Sequence, residues 1–409
     1  MLALLGGRPE FEQALDWTSF WPPVDDATEQ KLATLYRSRR WSAFDATESA
    51  FDRAFAEFHD AQHGIFMVNG TVTLQCALAA YGIGAGDEVI VPAVTWYATA
   101  MAPVYLGAHP VFVDIDPSTL CIDPDKIEAA INGRTRAIIP VHAFGSMADM
   151  DRILAIARAR DIRVIEDCAH VHGAIWRGKG VGSIGDVGSF SFQQSKQMAS
   201  AEGGICITND AEIADRIFRM KHIGYGPGQR QGQAQNGPPA GLLCHNFRAT
   251  AFQALILHEQ LKQLADRLER YRVAVHYLEE RLSRSTRLRF QQRPAGVERQ
   301  GYYLWMILFD DPAYNDIPLS TIESAFRAEG LPASPVWDPV YRFILFNQAP
   351  SAYRIAQPCT VAERMVSRML AFHHALLGFD QSMIERIAVT IEKVMNDIDA
   401  LRRYQGQSA

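Results

Sequence analysis

Between residues 64 and 210, short apolar runs alternate with segments whose apolar residues recur at helical spacing. The runs are GIFMV (64–68), EVIVP (88–92), HPVFVDI (109–115), RAIIPVHAF (136–144), RVIEDCA (163–169), GSFSF (188–192) and GGICITN (203–209). Their near-continuous apolar character predicts strands covered on both faces. TVTLQCALAAYG (71–82) predicts a helix that stops at Gly82, and ADMDRILAIARARD (148–161) predicts another. Strand–helix–strand alternation of this kind predicts an α/β fold, with a large, mostly parallel sheet and helices on both of its faces.

The pattern then changes. The stretch 224–244, GYGPGQRQGQAQNGPPAGLLC, is rich in Gly, Gln and Pro and cannot build a core, so it predicts a long loop. AFQALILHEQLKQLADRLERYRVAVHYLEERL (251–282) reads as one long helix linking two units. YYLWMILF (302–309) predicts a strand within a smaller C-terminal α/β unit. With 409 residues the chain exceeds one typical core. We expect a large unit over 1–260, with 1–50 packing on it, and a linker helix with a smaller unit over 261–409.

Composition narrows the function. Hydrophobic residues make up 48% and charged residues 21%, which excludes disorder as the dominant state. The 40 Lys and Arg against 46 Asp and Glu give a charge of −6, and the densest basic run, YRSRR (36–40), is short. A nucleic-acid partner is therefore not expected. No apolar run could cross a bilayer, and MLALLGGRPEFEQ lacks a basic leader region, so a cytoplasmic protein is expected. The six cysteines, at 76, 121, 168, 206, 244 and 359, have no CxxC spacing. Neither a zinc site nor a disulfide framework is expected, and no metal is assigned.

Four features carry chemistry. In VNGTVTLQCAL (68–78) a strand ends and a helix begins, so Gly70 and Thr71 stand at a helix N-terminus that can hold an anion. Thr71 is equally a plain cap. Trp96 follows a strand at the same sheet edge and could stack on a planar ligand or simply pack in the core. Asp167 closes a buried strand in VIEDCAHVHGA (164–174), where a carboxylate needs a partner such as a protonated ring nitrogen. His170 and His172 follow it with HxH spacing, but further metal ligands are not near in sequence, and for His172 a satisfied structural histidine is preferred. Lys196, in GSFSFQQSKQMASAEGG (188–204), leaves a strand and could be an amine nucleophile or an exposed loop lysine. Ser191 offers a hydroxyl five residues earlier. Together these supply a phosphate cradle, a stacking ring, a carboxylate and an amine, the set pyridoxal 5′-phosphate requires. A nicotinamide dehydrogenase would show GxGxxG after the first strand, and that fingerprint is missing.

The ordered motifs NGT (69–71), GDEVIVPAVTW (86–96), PVHAFGSMADMD (140–151), EDCAHVHGA (166–174), GSFSFQQSKQMASAEGG (188–204) and NFRATAFQ (246–253) resemble the DegT/DnrJ/StrS family of pyridoxal-phosphate aminotransferases, on the type I aminotransferase fold. The resemblance implies that Lys196 carries the cofactor as a Schiff base and Asp167 pairs with the pyridine nitrogen. It implies that Trp96 covers the ring, that Gly70, Thr71, Ser191 and Gln193 surround the phosphate, and that His170 lies beside the cofactor. Asn246 and Arg248 match a segment that reaches into a neighbouring subunit's site, which implies a homodimer with shared active sites. Tyr341 resembles a substrate-side position. FQQSK, EDCAHVHGA and FHHALL (372–377) are similar to the branch containing glutamine:scyllo-inosose aminotransferases and 3-amino-5-hydroxybenzoate synthase.

The implied partners are a small amino donor, L-glutamine or L-glutamate, and a keto acceptor of the cyclitol or sugar type. Nucleotide-linked keto sugars, nucleoside-antibiotic precursors and a dehydratase activity are the alternatives within the family. Two positions depart from its pattern: Ala251, where relatives commonly carry Glu, and the 224–244 loop.

Overall fold

Each predicted apolar run forms a strand, within a residue or two, except where proline intervenes. We number the strands β1 (His63–Met67), β2 (Glu88–Pro92), β3 (His109–Val113), β4 (Thr135–Ile138), β5 (Arg163–Asp167), β6 (Val187–Ser191) and β7 (Gly204–Thr208). The 136–144 run stops early. Pro140 lacks an N–H for the ladder, and only an isolated bridge from Val141 to Asp167 continues it. The computed structural model describes residues 1–42, 46–229, 232, 241–347 and 350–404.

The strands lie in the order β1-β7-β6-β5-β4-β2-β3, and a short strand at Arg354–Ile355 extends the sheet beyond β3. Only β7 runs against the others. The sheet is therefore mostly parallel, and the C-terminal ends of β1, β2, β5 and β6 share one edge, where ligands of open α/β sheets bind. Its strands are buried along nearly their whole length, as the apolar runs required.

Two helices start at that edge: α1 (Gly70–Ala80) and α2 (Tyr97–Val104). Asn69 caps α1 by accepting the Val72 N–H at 3.0 Å. The predicted long helix over 251–282 is instead two, α3 (Ala251–Leu261) and α4 (Leu264–Ser285). The chain tightens between them, where the Gln263 N–H bonds the Gln260 carbonyl only three residues back at 3.2 Å. Along α4, Leu264, Leu268, Tyr271, Val275, Leu278 and Leu282 are buried at alternating four- and three-residue spacing.

A second, four-stranded sheet follows α4. Its strands are β8 (Arg289–Phe290), β9 (Leu304–Leu308), β10 (Ser334–Pro335) and β11 (Met369–His373), in the order β8-β9-β11-β10. β9 is the strand expected from YYLWMILF. The middle of the stretch 224–244, residues 230, 231 and 233–240, lies outside the described residues. No helix among the described residues is long and apolar enough to cross a membrane.

Candidate active site

The aligned strand ends bring eight of the expected residues to one place before any ligand is considered. A cavity of about 500 Å³ is lined by Gly70, Thr71, Trp96, Asp167, Ser191 and Lys196, with His170 and Gln193 beside them. These residues come from the ends of β1, β2, β5 and β6, so the sheet's parallel direction alone gathers them.

At one end of the cavity the start of α1 sits against the end of β6. A Cβ on Gly70 would lie 2.7 Å from the Ser191 Cβ, so glycine is what permits this approach. The first-turn N–H groups of Gly70 and Thr71 have no acceptor among the described residues, and the Thr71 and Ser191 hydroxyls stand with them. This is an anion cradle. Gln193 lines it too, but its Oε1 is taken by the N–H and the hydroxyl of Ser195, at 2.9 and 2.7 Å.

At the floor, Asp167 is buried. Its Oδ2 accepts the Thr99 hydroxyl at 2.8 Å, and its Oδ1 accepts the Ala169 N–H at 3.2 Å. Burial pushes its carboxyl above the ordinary range, with the Thr99 hydrogen bond opposing. A carboxylate in this setting favours a cationic partner in the cavity.

Lys196 is 9% exposed, and its Nζ lies 4.0 Å from the centroid of the Tyr303 ring. His170 stacks on the same ring, 4.2 Å from Tyr303 with planes 17° apart. Its Nδ1 accepts the Phe144 N–H at 3.2 Å, so the proton of the neutral ring sits on Nε2. Burial holds His170 well below the usual histidine range. Trp337 continues the wall, 5.9 Å from His170 and 5.8 Å from Trp96, which stands 43% exposed at the mouth.

The remaining expected residues lie elsewhere. Asn246 and Arg248 do not line this chain's cavity; the Asn246 side chain accepts the Arg248 N–H at 3.4 Å. Tyr341 is buried away from the cavity, donating its hydroxyl to Glu363 at 2.8 Å and packing on Phe112. His172 is buried outside the cavity lining, with Nδ1 3.0 Å from Gln197 Oε1. His142, Glu166 and Cys168 approach one another, but Glu166 already accepts from His142 and from the N–H groups of Gly182, Ile184 and Gly185.

Sequence reasoning missed Thr99, Tyr303 and Trp337. Thr99 had a signal: it lies one helical turn past Thr95 in TWYAT, and the two hydroxyls meet at 2.8 Å. Tyr303 and Trp337 enter from beyond residue 300, and nothing local marks them.

The cavity thus fits pyridoxal 5′-phosphate. It offers an anion cradle, an aromatic cover, a buried carboxylate and a near-buried amine within one volume of suitable size. The profile of the DegT/DnrJ/EryC1/StrS aminotransferase family matches residues 23–392. The chain belongs to this family.

The DegT/DnrJ/EryC1/StrS chain is similar to L-glutamine:2-deoxy-scyllo-inosose aminotransferases. That of Streptoalloteichus tenebrarius is 35% identical over 408 residues, covering 93% of this chain and 95% of the relative. That of Streptomyces kanamyceticus is 36% identical over 403 residues, covering 92% and 93%. Among solved structures, 3-amino-5-hydroxybenzoic acid synthase superposes with a TM-score of 0.83 at 29% identity, covering 92% of this chain and 98% of that one. The enzyme is a pyridoxal-phosphate-dependent aminotransferase on the type I fold.

Proposed function

We propose that this enzyme moves the amino group of L-glutamine to the ketone of a cyclitol of the scyllo-inosose type. The observation that carries this is the similarity, across more than nine-tenths of the chain, to enzymes named for that donor and that acceptor. The cavity agrees. The described lining residues that this chain itself contributes include no arginine, and Lys196 is their single fixed cation. A polyhydroxylated ring can lay its C–H face on the wall of Trp96, Trp337 and Tyr303.

The chain's own groups divide the work. The α1 N-terminus, with Gly70, Thr71 and Ser191, holds the cofactor phosphate, and Trp96 covers the ring. Asp167 keeps a proton on the ring nitrogen. When bound, the cofactor serves as the electron sink and carries the amino group between the two half-reactions. Lys196 Nζ takes the proton from the donor's Cα and returns a proton at the acceptor carbon. His170 and Tyr303 wall that amine off from solvent.

Asn246 and Arg248, which do not line their own chain's cavity, serve a second copy, and the working unit is a homodimer with shared sites. The larger unit spans 1–260 and the smaller 261–409. The six free cysteines suit a reducing cytoplasm.

The test is turnover of purified enzyme with L-glutamine against 2-deoxy-scyllo-inosose and against a nucleotide-linked keto sugar, with the amino product read by mass spectrometry. Amination of the cyclitol at least about 100-fold faster is expected, the discrimination one well-fitted pocket supplies. Preference for the nucleotide sugar, or loss of water without an amino product, would overturn the proposal.

A further inference from the structure

The segment that carries Lys196 is held from the side opposite the cavity. Trp21 donates its Nε1–H to the Gln194 carbonyl at 3.1 Å, and Arg267 donates to the Gln197 carbonyl at 2.8 Å. Between these, two consecutive histidines at the end of β11 converge on one atom. His373 Nε2 lies 3.0 Å and His374 Nε2 3.1 Å from the carbonyl oxygen of Ser195. That carbonyl forms the peptide bond to the Lys196 nitrogen.

Donor and acceptor roles follow from the chemistry. A carbonyl oxygen only accepts, so both Nε2 atoms carry hydrogen, and together they use its two lone pairs. The other ring nitrogens must then accept. His373 Nδ1 takes the Ala375 N–H at 3.3 Å, and His374 Nδ1 takes the Tyr271 hydroxyl at 3.1 Å. Each ring is fixed further by an aromatic neighbour. His373 lies flat on Trp17 with centroids 3.9 Å apart, and His374 meets Trp21 edge-on at 4.5 Å. Burial keeps both rings neutral, pushing His373 down to about 4 and His374 well below the usual range.

We propose that His373 and His374 are positioning residues for Lys196, clamping the Ser195 carbonyl so that the second sheet aims the reacting amine. A lysine amine hangs on four rotatable bonds, so it can be aimed only if the peptide at its root is fixed. The front of Ser195 completes the clamp, because its hydroxyl is 2.9 Å from the Tyr303 hydroxyl in the cavity wall. The inference rests on Lys196 being the amine that carries the cofactor.

The test uses two substitutions at each histidine. His373→Leu and His374→Leu remove a donor; His373→Gln and His374→Gln keep an N–H at the reach of Nε2. The first readout is hydrogen exchange of residues 193–200 in cofactor-free protein, with the helix at Gln381–Asn396 as internal control. The second is the rate at which added pyridoxal phosphate becomes borohydride-trapped on Lys196. The third is kcat against KM.

The leucine variants should exchange about tenfold faster at 193–200 alone, the weight of one buried hydrogen bond. They should trap more slowly and lose about 10- to 100-fold in kcat, the cost of misplacing a reacting group, at unchanged KM. The glutamine variants should return within about threefold of wild type, since the donor that matters is restored. Wild-type exchange and trapping in the leucine variants, glutamine variants as impaired as leucine ones, or an equal rise in the control helix would overturn the proposal. If a leucine variant does not fold, His373→Asn, whose amide is too short to reach, replaces it against His373→Gln under the same criteria. Failure of wild type to be trapped at Lys196 would overturn the cofactor assignment instead, and the exchange readout would still decide the clamp.

Discussion

Residues 193–200 face two environments built on opposite terms. On the cavity side, the Lys196 amine touches an aromatic face, and the N–H groups and hydroxyls nearby stand open to a ligand. On the far side, backbone groups of Gln194, Ser195, Gln197 and Ala199 are all engaged by side chains from distant parts of the chain. The front leaves polar groups unsatisfied and the back leaves almost none. The difference teaches where rigidity comes from. A site that must accept a ligand cannot satisfy its own donors, so the bonds that hold its geometry are placed behind it.

The strongest way to separate the two sides is to remove a group from the front alone. Lys196→Ala should lower turnover by about 10⁴-fold, the upper range for a lost general base, in single-turnover assays of amino product. Its melting temperature should stay within a few degrees of wild type, because among the described residues the deleted amine meets an aromatic ring and no hydrogen-bond acceptor. A large melting shift would mean that the front also carries the fold.

The matching change at the back should do the reverse. The Gln260 side chain bonds both the N–H and the C=O of Ala199, at 2.9 and 2.8 Å. Gln260→Leu keeps the volume but strands both groups in a buried site. It should cost about 3 kcal/mol in denaturant unfolding. Turnover per folded molecule should fall much less than in Lys196→Ala.

Acid and base should also act on the two sides with opposite sign. Behind the lysine, burial pushes His172 down to about 3 and His373 to about 4. Below the unfolded histidine value of about 6.5 the unfolded chain takes up protons that the folded chain refuses. Stability is therefore lost as pH falls from about 6.5 toward 4. In front, Asp167 is raised by burial. The folded chain there holds its proton longer, so that contribution is present at low pH and is lost as pH rises above the ordinary carboxylate range. Melting curves of cofactor-free wild type and Asp167→Asn, from pH 8 to 4, should show a shared acid-side loss. Their difference should be confined to the side above the carboxylate range, where the variant is the more stable. An acid-side loss that vanished in Asp167→Asn would place the histidine effect elsewhere.

The front was legible in the sequence and the back was not, for one physical reason. Gly70, Trp96, Asp167 and Lys196 each follow an apolar strand closely, and a parallel sheet brings all such strand ends to one edge. Local pattern and topology therefore sufficed to gather them. Trp21, Gln260, Arg267, His373 and His374 sit in segments whose local pattern says only helix, strand end or tail. Their meeting depends on how β11 and the helices pack behind the large sheet, and periodicity carries no information about that. The same limit applies to Tyr303 and Trp337, and to the break after Leu261, where an unbroken apolar pattern predicted one helix. FHHALL was visible as a motif, but the shared acceptor of its two histidines was not.

Thr99 tests the boundary between the two sides, and with the smallest effect. Its hydroxyl donates to Asp167 Oδ2 at 2.8 Å, while the hydroxyl of Thr95, buried beside it, meets it at 2.8 Å. It belongs to the scaffold by its neighbours and to the site by its acceptor. Thr99→Val keeps the shape and deletes the donor, so one lone pair of a buried carboxylate loses its partner. That carboxylate can still turn to a cationic ligand, which makes the loss partial. About tenfold in kcat is expected, the weight of one hydrogen bond to a charged group. If Thr99 serves the front, cofactor affinity should weaken with kcat while the melting temperature of the cofactor-free protein holds. If it serves the back, the cofactor-free protein should melt lower and affinity should stay. Equilibrium titration of the cofactor beside a melting curve separates the two, and the geometry at Asp167 assigns Thr99 to the front.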